Sequence, residues 1–288
     1  MNARHIGLVN GAIGMLIFSG SLPATRIAVT GFDPVFLTVA RAALAALCGG
    51  LWLLATDRHR LAPGDILRLA VVALGVVAGF PLLTALALQQ VTAVHGTVFI
   101  GLLPLATALF GVLRGGERPR GAFWAFSLAG SALVVGYALF SGAEPGLSTA
   151  DLMLLAAVLV CGLGYAEGAV LSRRLGGLAV IAWALLLSLP LVLPLLAILW
   201  PDNLADVATP AWLGLGYVAL FSMFIGFIFW YRGLALGGIA AISQIQLLQP
   251  FFGMAVAALV LGEAVGWPAL AVAAGVSVSV ALARRFAR

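Results

Sequence analysis

Hydrophobic positions along this chain fall into long runs, interrupted by charges, prolines and small polar clusters. Cutting at those interruptions leaves ten segments, at approximately 6–29, 33–55, 66–89, 93–113, 121–140, 150–172, 178–200, 209–231, 238–261 and 267–284. As helices, roughly 20 apolar residues cross a bilayer core of about 30 Å. The connections between runs are short, and none could hold a soluble domain. The pattern predicts an all-α membrane protein of ten transmembrane helices in a single bundle.

The runs carry a punctuation that occurs twice. In "GLLPLATALFGVLRGGE" (101–117) Pro104 precedes Gly116-Glu117, and in "LLQPFFGMAVAALVLGE" (247–263) Pro250 precedes Gly262-Glu263 at the same spacing, 146 residues later. "ALALQQVTA" (85–93) has an echo in "GLALGGIAA" (233–241), and Gly130 falls near the counterpart of Gly275, at offsets of 148 and 145. The chain therefore divides near "SGAEPGLST" (141–149) into two five-helix repeats, 1–144 and 145–288. Five is odd, so the second repeat enters the membrane from the opposite side. The Pro-bearing segments become spans four and nine. Inverted repeats of this kind are a device of secondary transporters. Two similar halves can exchange conformations and so turn an outward-open cavity into an inward-open one.

Composition points the same way. The chain is 63% hydrophobic and 9% charged, against about 25% charged in soluble domains. No water-soluble fold hides that much apolar surface. The formal charge is +5, and all 15 basic residues are arginine. They stand singly between apolar runs, which excludes a nucleic-acid surface. All but Arg26 and Arg41 lie on the side of the termini, while the five opposite connections hold acids instead: Glu144, Asp202, Asp206 and Glu263. The positive-inside rule then predicts cytoplasmic termini, in the inner membrane of a bacterial cell. Cys48 and Cys161 sit inside apolar runs as filler. The N-terminus is charged, then apolar, without a small-x-small cleavage site, and is expected to stay as the first helix.

Ten spans in two repeats, with "P…GE" closing spans four and nine, resemble the drug/metabolite transporter superfamily in its EamA-type branch. The opening "SGSLPATRIAVTGFDPVFLTVARAALAAL" (19–47) is similar to that family's pattern: small residues, a basic residue late in span one, a proline after the turn, and an arginine in span two. The resemblance covers essentially the whole chain. It implies a transporter rather than an enzyme, without cofactor, metal or ATP, acting on a small-molecule substrate within the lipid bilayer. Within the family it points to export of aromatic and other neutral amino acids; the direction comes from the resemblance alone. A multidrug or organic-cation exporter is the alternative within transport. An intramembrane enzyme is the alternative of another class, and would need a nucleophile with an acid or base partner, or a metal. A monomer is compatible with this plan.

Ionisable groups inside a bilayer are costly and become functional hypotheses. Glu167 lies inside span six, shortly before Arg173 and Arg174. It reads either as a proton-binding or gating carboxylate, or as a structural partner of a nearby arginine at the cytoplasmic mouth. Arg41 in span two and Arg26 in span one could hold a substrate carboxylate or a gate, or else snorkel or cap carbonyls. His95, near the outer end of span four, is open between a pH-sensing or substrate role and packing; with no acid or second histidine at ligand spacing, no metal site is expected.

Span nine carries a polar face of Ser243, Gln246, Gln249, Pro250 and Gly253, with Gln244 off it. Its amides suit an ammonium and a carboxylate, or hydrogen bonds between helices. Pro250 is expected to free the Gln246 carbonyl, and Pro104 and Pro250 are gating candidates. Phe18, Phe80 with Thr84, Phe99, Tyr165, Trp230 and Tyr231 are candidate walls of a substrate cavity. Trp230 and Tyr231, beside Arg232, fit equally well as interfacial anchors. Gly7 with Gly11, and Gly164 with Gly168, form small-xxx-small pairs for close helix packing.

Overall fold

The computed structural model describes residues 3–56, 61–115, 120–141 and 147–286, and every regular element among them is helical. Five spans are continuous: two (Pro34–Thr56), five (Gly121–Ser141), six (Thr149–Leu175), seven (Gly177–Ile198) and ten (Trp267–Arg285). The other five are interrupted. Span one breaks at Gly20, between Ala3–Ser19 and Ser21–Ala28. Span three runs Pro63–Val72 and Phe80–Ala87 through a π-helical segment, Ala73–Gly79. Span eight repeats that form, Thr209–Gly216 and Gly226–Gly237 around Tyr217–Ile225. Span four breaks between Ala93–Ile100 and Leu103–Gly115. Span nine passes from Ile239–Ser243 through a 3₁₀ turn, Gln244–Leu248, into Gln249–Leu261. Seven spans have a helix long and apolar enough to cross a membrane unaided; spans five, nine and ten carry shorter apolar helices.

The repeat is written in the irregularities. Helices start at Leu103 and Gln249, at Pro63 and Thr209, and at Gly121 and Trp267, each pair 146 residues apart. The two π segments end at Gly79 and Ile225, again 146 apart. Pro104 and Pro250 are each the second residue of a 13-residue helix, where a missing N–H costs nothing.

Packing obeys the same symmetry. Span one packs on eight and three on six; two packs on seven, five on ten, and four on nine; four also meets six as nine meets one. Exchanging each span with the one five later leaves this scheme unchanged, as a two-fold axis between the halves requires. Spans four and nine cross antiparallel: Ala93–Ile100 meets Gln249–Leu261, and Ile239–Ser243 meets Leu103–Gly115. The fold is thus ten transmembrane helices in two inverted repeats. An even number of spans brings the start of span one and the end of span ten to one face, the terminal face, opposite the far face.

Lipid offers no hydrophobic drive between helices, so close van der Waals packing must hold them. Glycine allows it between spans one and eight. A Cβ on Gly233 would lie 2.7 Å from the backbone nitrogen of Gly11, and one on Gly7 2.8 Å from that of Gly237. The second sequence pair splits its work: Gly164 lies against Gly75 of span three, while Gly168 makes room for the Tyr231 ring.

Candidate functional site

The interruptions converge. Span one contributes Phe18, Ser21 and Leu22 around its break, and span three contributes Val76 and Phe80 at the end of its π segment. Ile100 and Leu103 flank the break of span four, Ser222 and Phe227 come from span eight, and Gln249 follows the 3₁₀ turn of span nine. Arg41 of span two, with Cys161 and Tyr165 of span six, completes the lining of a small, nearly closed cavity of ≈ 20 Å³, space for about one water. Apart from Phe80, every lining residue is buried. Inside a membrane, irregular helix is tolerated where it is enclosed in protein or lines a cavity.

Arg41 dominates the chemistry of this space. It is 4% exposed, so it does not snorkel. Its Nη2 donates to Ser222 Oγ at 3.3 Å, and its Nε has no partner. No carboxylate pairs with it among the described residues. Ser222 Oγ lies 2.7 Å from Ser21 Oγ, so the arginine rests on a bridge between spans one and eight.

The polar face of span nine is buried beside it. Gln249 Nε2 reaches the Phe18 carbonyl at 3.5 Å, and Gln246 Nε2 reaches Gln249 Oε1 at 3.3 Å. Gln246 Oε1 is buried without a partner, and Ser243 is wholly buried. The Gln246 carbonyl is not free, contrary to the expectation from Pro250: the 3₁₀ turn lets the Gln249 N–H donate to it.

Aromatic rings form one wall. Phe18 lies 5.1 Å from Phe227, 6.1 Å from Trp230 and 6.3 Å from Tyr165 between ring centres; Tyr165 and Trp230 lie 5.5 Å apart. Trp230 and Tyr231 are 0% exposed, which overturns the interfacial-anchor reading. The Tyr231 hydroxyl donates to the Gly164 carbonyl at 3.2 Å. Both residues stand behind the cavity wall and brace it.

Several predicted residues do other work. Glu167 is not on the cavity. Its carboxylate accepts from Arg114 Nε and lies 4.0 Å from Arg68 Nε, so its partners come from spans four and three rather than from Arg173 and Arg174. Arg174 pairs instead with Asp65. Together these pairs tie spans three, four and six near the terminal face. Arg26 donates to the Leu88 carbonyl at the end of span three, the carbonyl-capping role. Thr84 bonds the Phe80 carbonyl at 2.7 Å.

His95 has an acid partner that its sequence neighbourhood did not reveal. Its Nε2 lies 2.7 Å from Asp151 Oδ1, joining spans four and six at the far face, with Phe99 packed on the imidazole at 5.4 Å. Asp151 also caps its own helix, accepting from Ser148 N at 2.8 Å. No cluster of three metal-ligating side chains occurs among the described residues.

One half of the repeated punctuation has a plain physical role. Span nine ends at Gly262 in the left-handed region (φ 67°), which turns the chain at little steric cost. The turn presents Glu263 to span four, where its carboxylate accepts from Ala93 N at 3.0 Å and Val94 N at 2.8 Å. Those N–H groups open a helix and otherwise lack partners. Glu263→Ala is expected to cost about 1–2 kcal/mol, and Glu263→Gln less, read as the thermal midpoint of the purified protein. Glu117 and Gly116 lie outside the described residues.

Sequence reasoning missed Ser222, Ser21 and Phe227. A usable signal existed. At the 146-residue offset, Ser222 faces Val76, Gln249 faces Leu103, and Gln246 faces Ile100. The polar set is where the repeats have diverged.

A helical membrane protein with an inverted internal repeat, five interrupted spans and a buried central cavity has the plan of a small-solute carrier. The chain belongs to the EamA-like transporter family, whose pattern matches it twice, over residues 5–141 and 148–285. It is 62% identical over 289 residues, spanning 100% of both chains, to the "Uncharacterized transporter YdeK" of Bacillus subtilis (strain 168). A solved crystal structure that is 24% identical shares the fold, with a TM-score of 0.67 over 97% of this chain and 96% of that one. Membrane transport is therefore the class of activity.

Proposed function

We propose that this protein is a secondary transporter of the bacterial inner membrane that exports amino acids, aromatic and other neutral ones, or similar small metabolites by alternating access. The exchanging units are residues 1–144 and 145–288, and both termini face the cytoplasm, following the arginine distribution. The observation that carries the reading is the unpaired Arg41 guanidinium, buried in a cavity walled by aromatic rings. A buried charge without a counter-charge is destabilising by several kcal/mol, on the order of its desolvation cost. A substrate carboxylate supplies the missing partner during the cycle, and the rings accept a flat apolar side chain. A lone positive charge repels organic cations, which disfavours the multidrug alternative.

The test is exchange in liposomes loaded with phenylalanine. Radiolabelled phenylalanine should exchange, and a panel of organic cations should not; exchange of cations alone would end the proposal. In this reading the pairs of Glu167 and Asp65 with their arginines are the contacts that hold the cytoplasmic side shut. Removing Arg68 and Arg114 together leaves Glu167 buried and unpaired, which favours opening. With Cys48 replaced by alanine, the buried Cys161 on the cavity wall should then react with a maleimide about tenfold faster, the change that 1.4 kcal/mol produces. An unchanged labelling rate would show that the ion pairs do not hold that side shut.

A further inference from the structure

Resting on the reading of this cavity as the transport site, we infer that the group it recognises is the carboxylate, and that the ammonium of an amino acid is dispensable. Aromatic monocarboxylates that lack an amino group are ligands of the same site.

Among the described residues, Arg41 is the only charged side chain lining the cavity. The acids in the rest of the described chain are committed elsewhere. Glu167 and Asp65 hold arginines, Asp151 holds His95, and Glu263 caps span four. Asp33 caps span two from an exposed position, and Asp202 and Asp206 are exposed on a connection. Among the described residues no anion is therefore available for an ammonium. The neutral side-chain acceptors on the wall have partners: the Ser21 and Ser222 hydroxyls face each other, Gln249 Oε1 accepts from Gln246, and the Tyr165 hydroxyl lies against Cys161 and Gln246. Among the described residues the one buried side-chain acceptor without a partner is Gln246 Oε1, and Gln246 is not among the residues that line the cavity.

The donors are arranged the other way. Arg41 offers a free Nε–H, and only a long 3.3 Å bond occupies Nη2. Those two edges form the fork that binds a carboxylate through two oxygens. A monoanion leaves the cavity neutral, whereas a zwitterion leaves one positive charge buried. In a medium of low dielectric that difference favours the monoanion. The cavity is closed down to ≈ 20 Å³ in this conformation, so a ring enters only when it opens, and Phe18, Tyr165 and Phe227 then take it in either case.

Three ligands with one ring and one chain length separate the groups: 3-phenylpropanoate, phenylalanine and phenethylamine. Calorimetric titration of the full chain in lipid nanodiscs is expected to give 3-phenylpropanoate an affinity equal to or above that of phenylalanine. Phenethylamine, without the charge-assisted bond, should be weaker by about 10- to 100-fold. Arg41→Gln should weaken both carboxylates by a similar factor, and Ser222→Ala by less, since it removes only the rest for the guanidinium. Binding of phenylalanine without binding of 3-phenylpropanoate overturns this inference and leaves the amino-acid carrier standing. Preference for phenethylamine, or binding of none of the three, overturns both. Full binding of carboxylates by a folded Arg41→Gln protein, judged by its melting curve, overturns the assignment of Arg41.

Discussion

Exchange of Arg41 for methionine is expected to raise the thermal midpoint of the protein and to abolish its transport in the same molecule. The guanidinium is 4% exposed, has no counter-charge among the described residues, and makes one hydrogen bond of 3.3 Å. Such a bond recovers little of the cost of taking a charge out of water. Methionine is unbranched, has a comparable reach and fills irregular space without polar atoms. Ser222 keeps its 2.7 Å contact with Ser21, so the exchange leaves no orphaned hydroxyl. Replacing a buried charged group by a packed apolar one stabilises by about 1–4 kcal/mol in comparable cases, or several degrees. Transport should fall below detection, because the carboxylate loses its fork. A melting scan and liposome exchange on the same preparation decide it: a methionine variant that is less stable, or one that still exchanges phenylalanine, removes the claim that Arg41 is kept for its ligand rather than for the fold. The trade of stability for a site is a common one.

Gly233→Leu is expected to have the largest effect on folding. A Cβ at this position would meet Gly11 N at 2.7 Å, Gly11 Cα at 2.9 Å and the Gly7 carbonyl oxygen at 3.1 Å. All three are backbone atoms, so no rotamer change relieves the clash; spans one and eight must separate. Overpacking typically costs about 1–3 kcal/mol where side chains can yield, and here they cannot. Gly216→Leu makes the same chemical change in the same span, where a Cβ meets nothing within 4 Å. Size-exclusion yield and melting temperature should collapse for Gly233→Leu and stay near the parent for Gly216→Leu. Equal behaviour of the two variants would show that the glycine contact between spans one and eight does not hold the repeats together.

Much of the architecture was open to reading because lipid imposes hard rules. A span must be apolar over its length and must satisfy its own backbone, so counting runs counted helices. The Pro-x12-Glu spacing disclosed the repeat because both copies start a 13-residue helix with proline in its second position. Span nine's polar residues were recognised for the same reason: amides do not face hydrocarbon. Their helix was not, since a face computed for a uniform α-helix misses the 3₁₀ turn at Gln244–Leu248. The π segments of spans three and eight contain no proline to announce them.

Partners were harder. Arg173 and Arg174 are near Glu167 in sequence, yet Arg114 and Arg68 reach it from other spans. His95 looked solitary because Asp151 lies 56 residues away. Trp230 beside Arg232 has the sequence appearance of a membrane-interface anchor, but the bundle closes over it.

Hydropathy, charge placement and the internal repeat, all present in the amino-acid order alone, determined that this is a ten-span bundle of two opposed halves with a polar face on span nine. Which side chains share the cavity, that the buried Arg41 meets no acid among the described residues, and what Glu263 caps were decided only when the spans packed. The reason is range. Hydrophobic matching to a bilayer acts on each segment separately, whereas a hydrogen bond or ion pair acts over a few ångströms between residues that the chain order does not bring together.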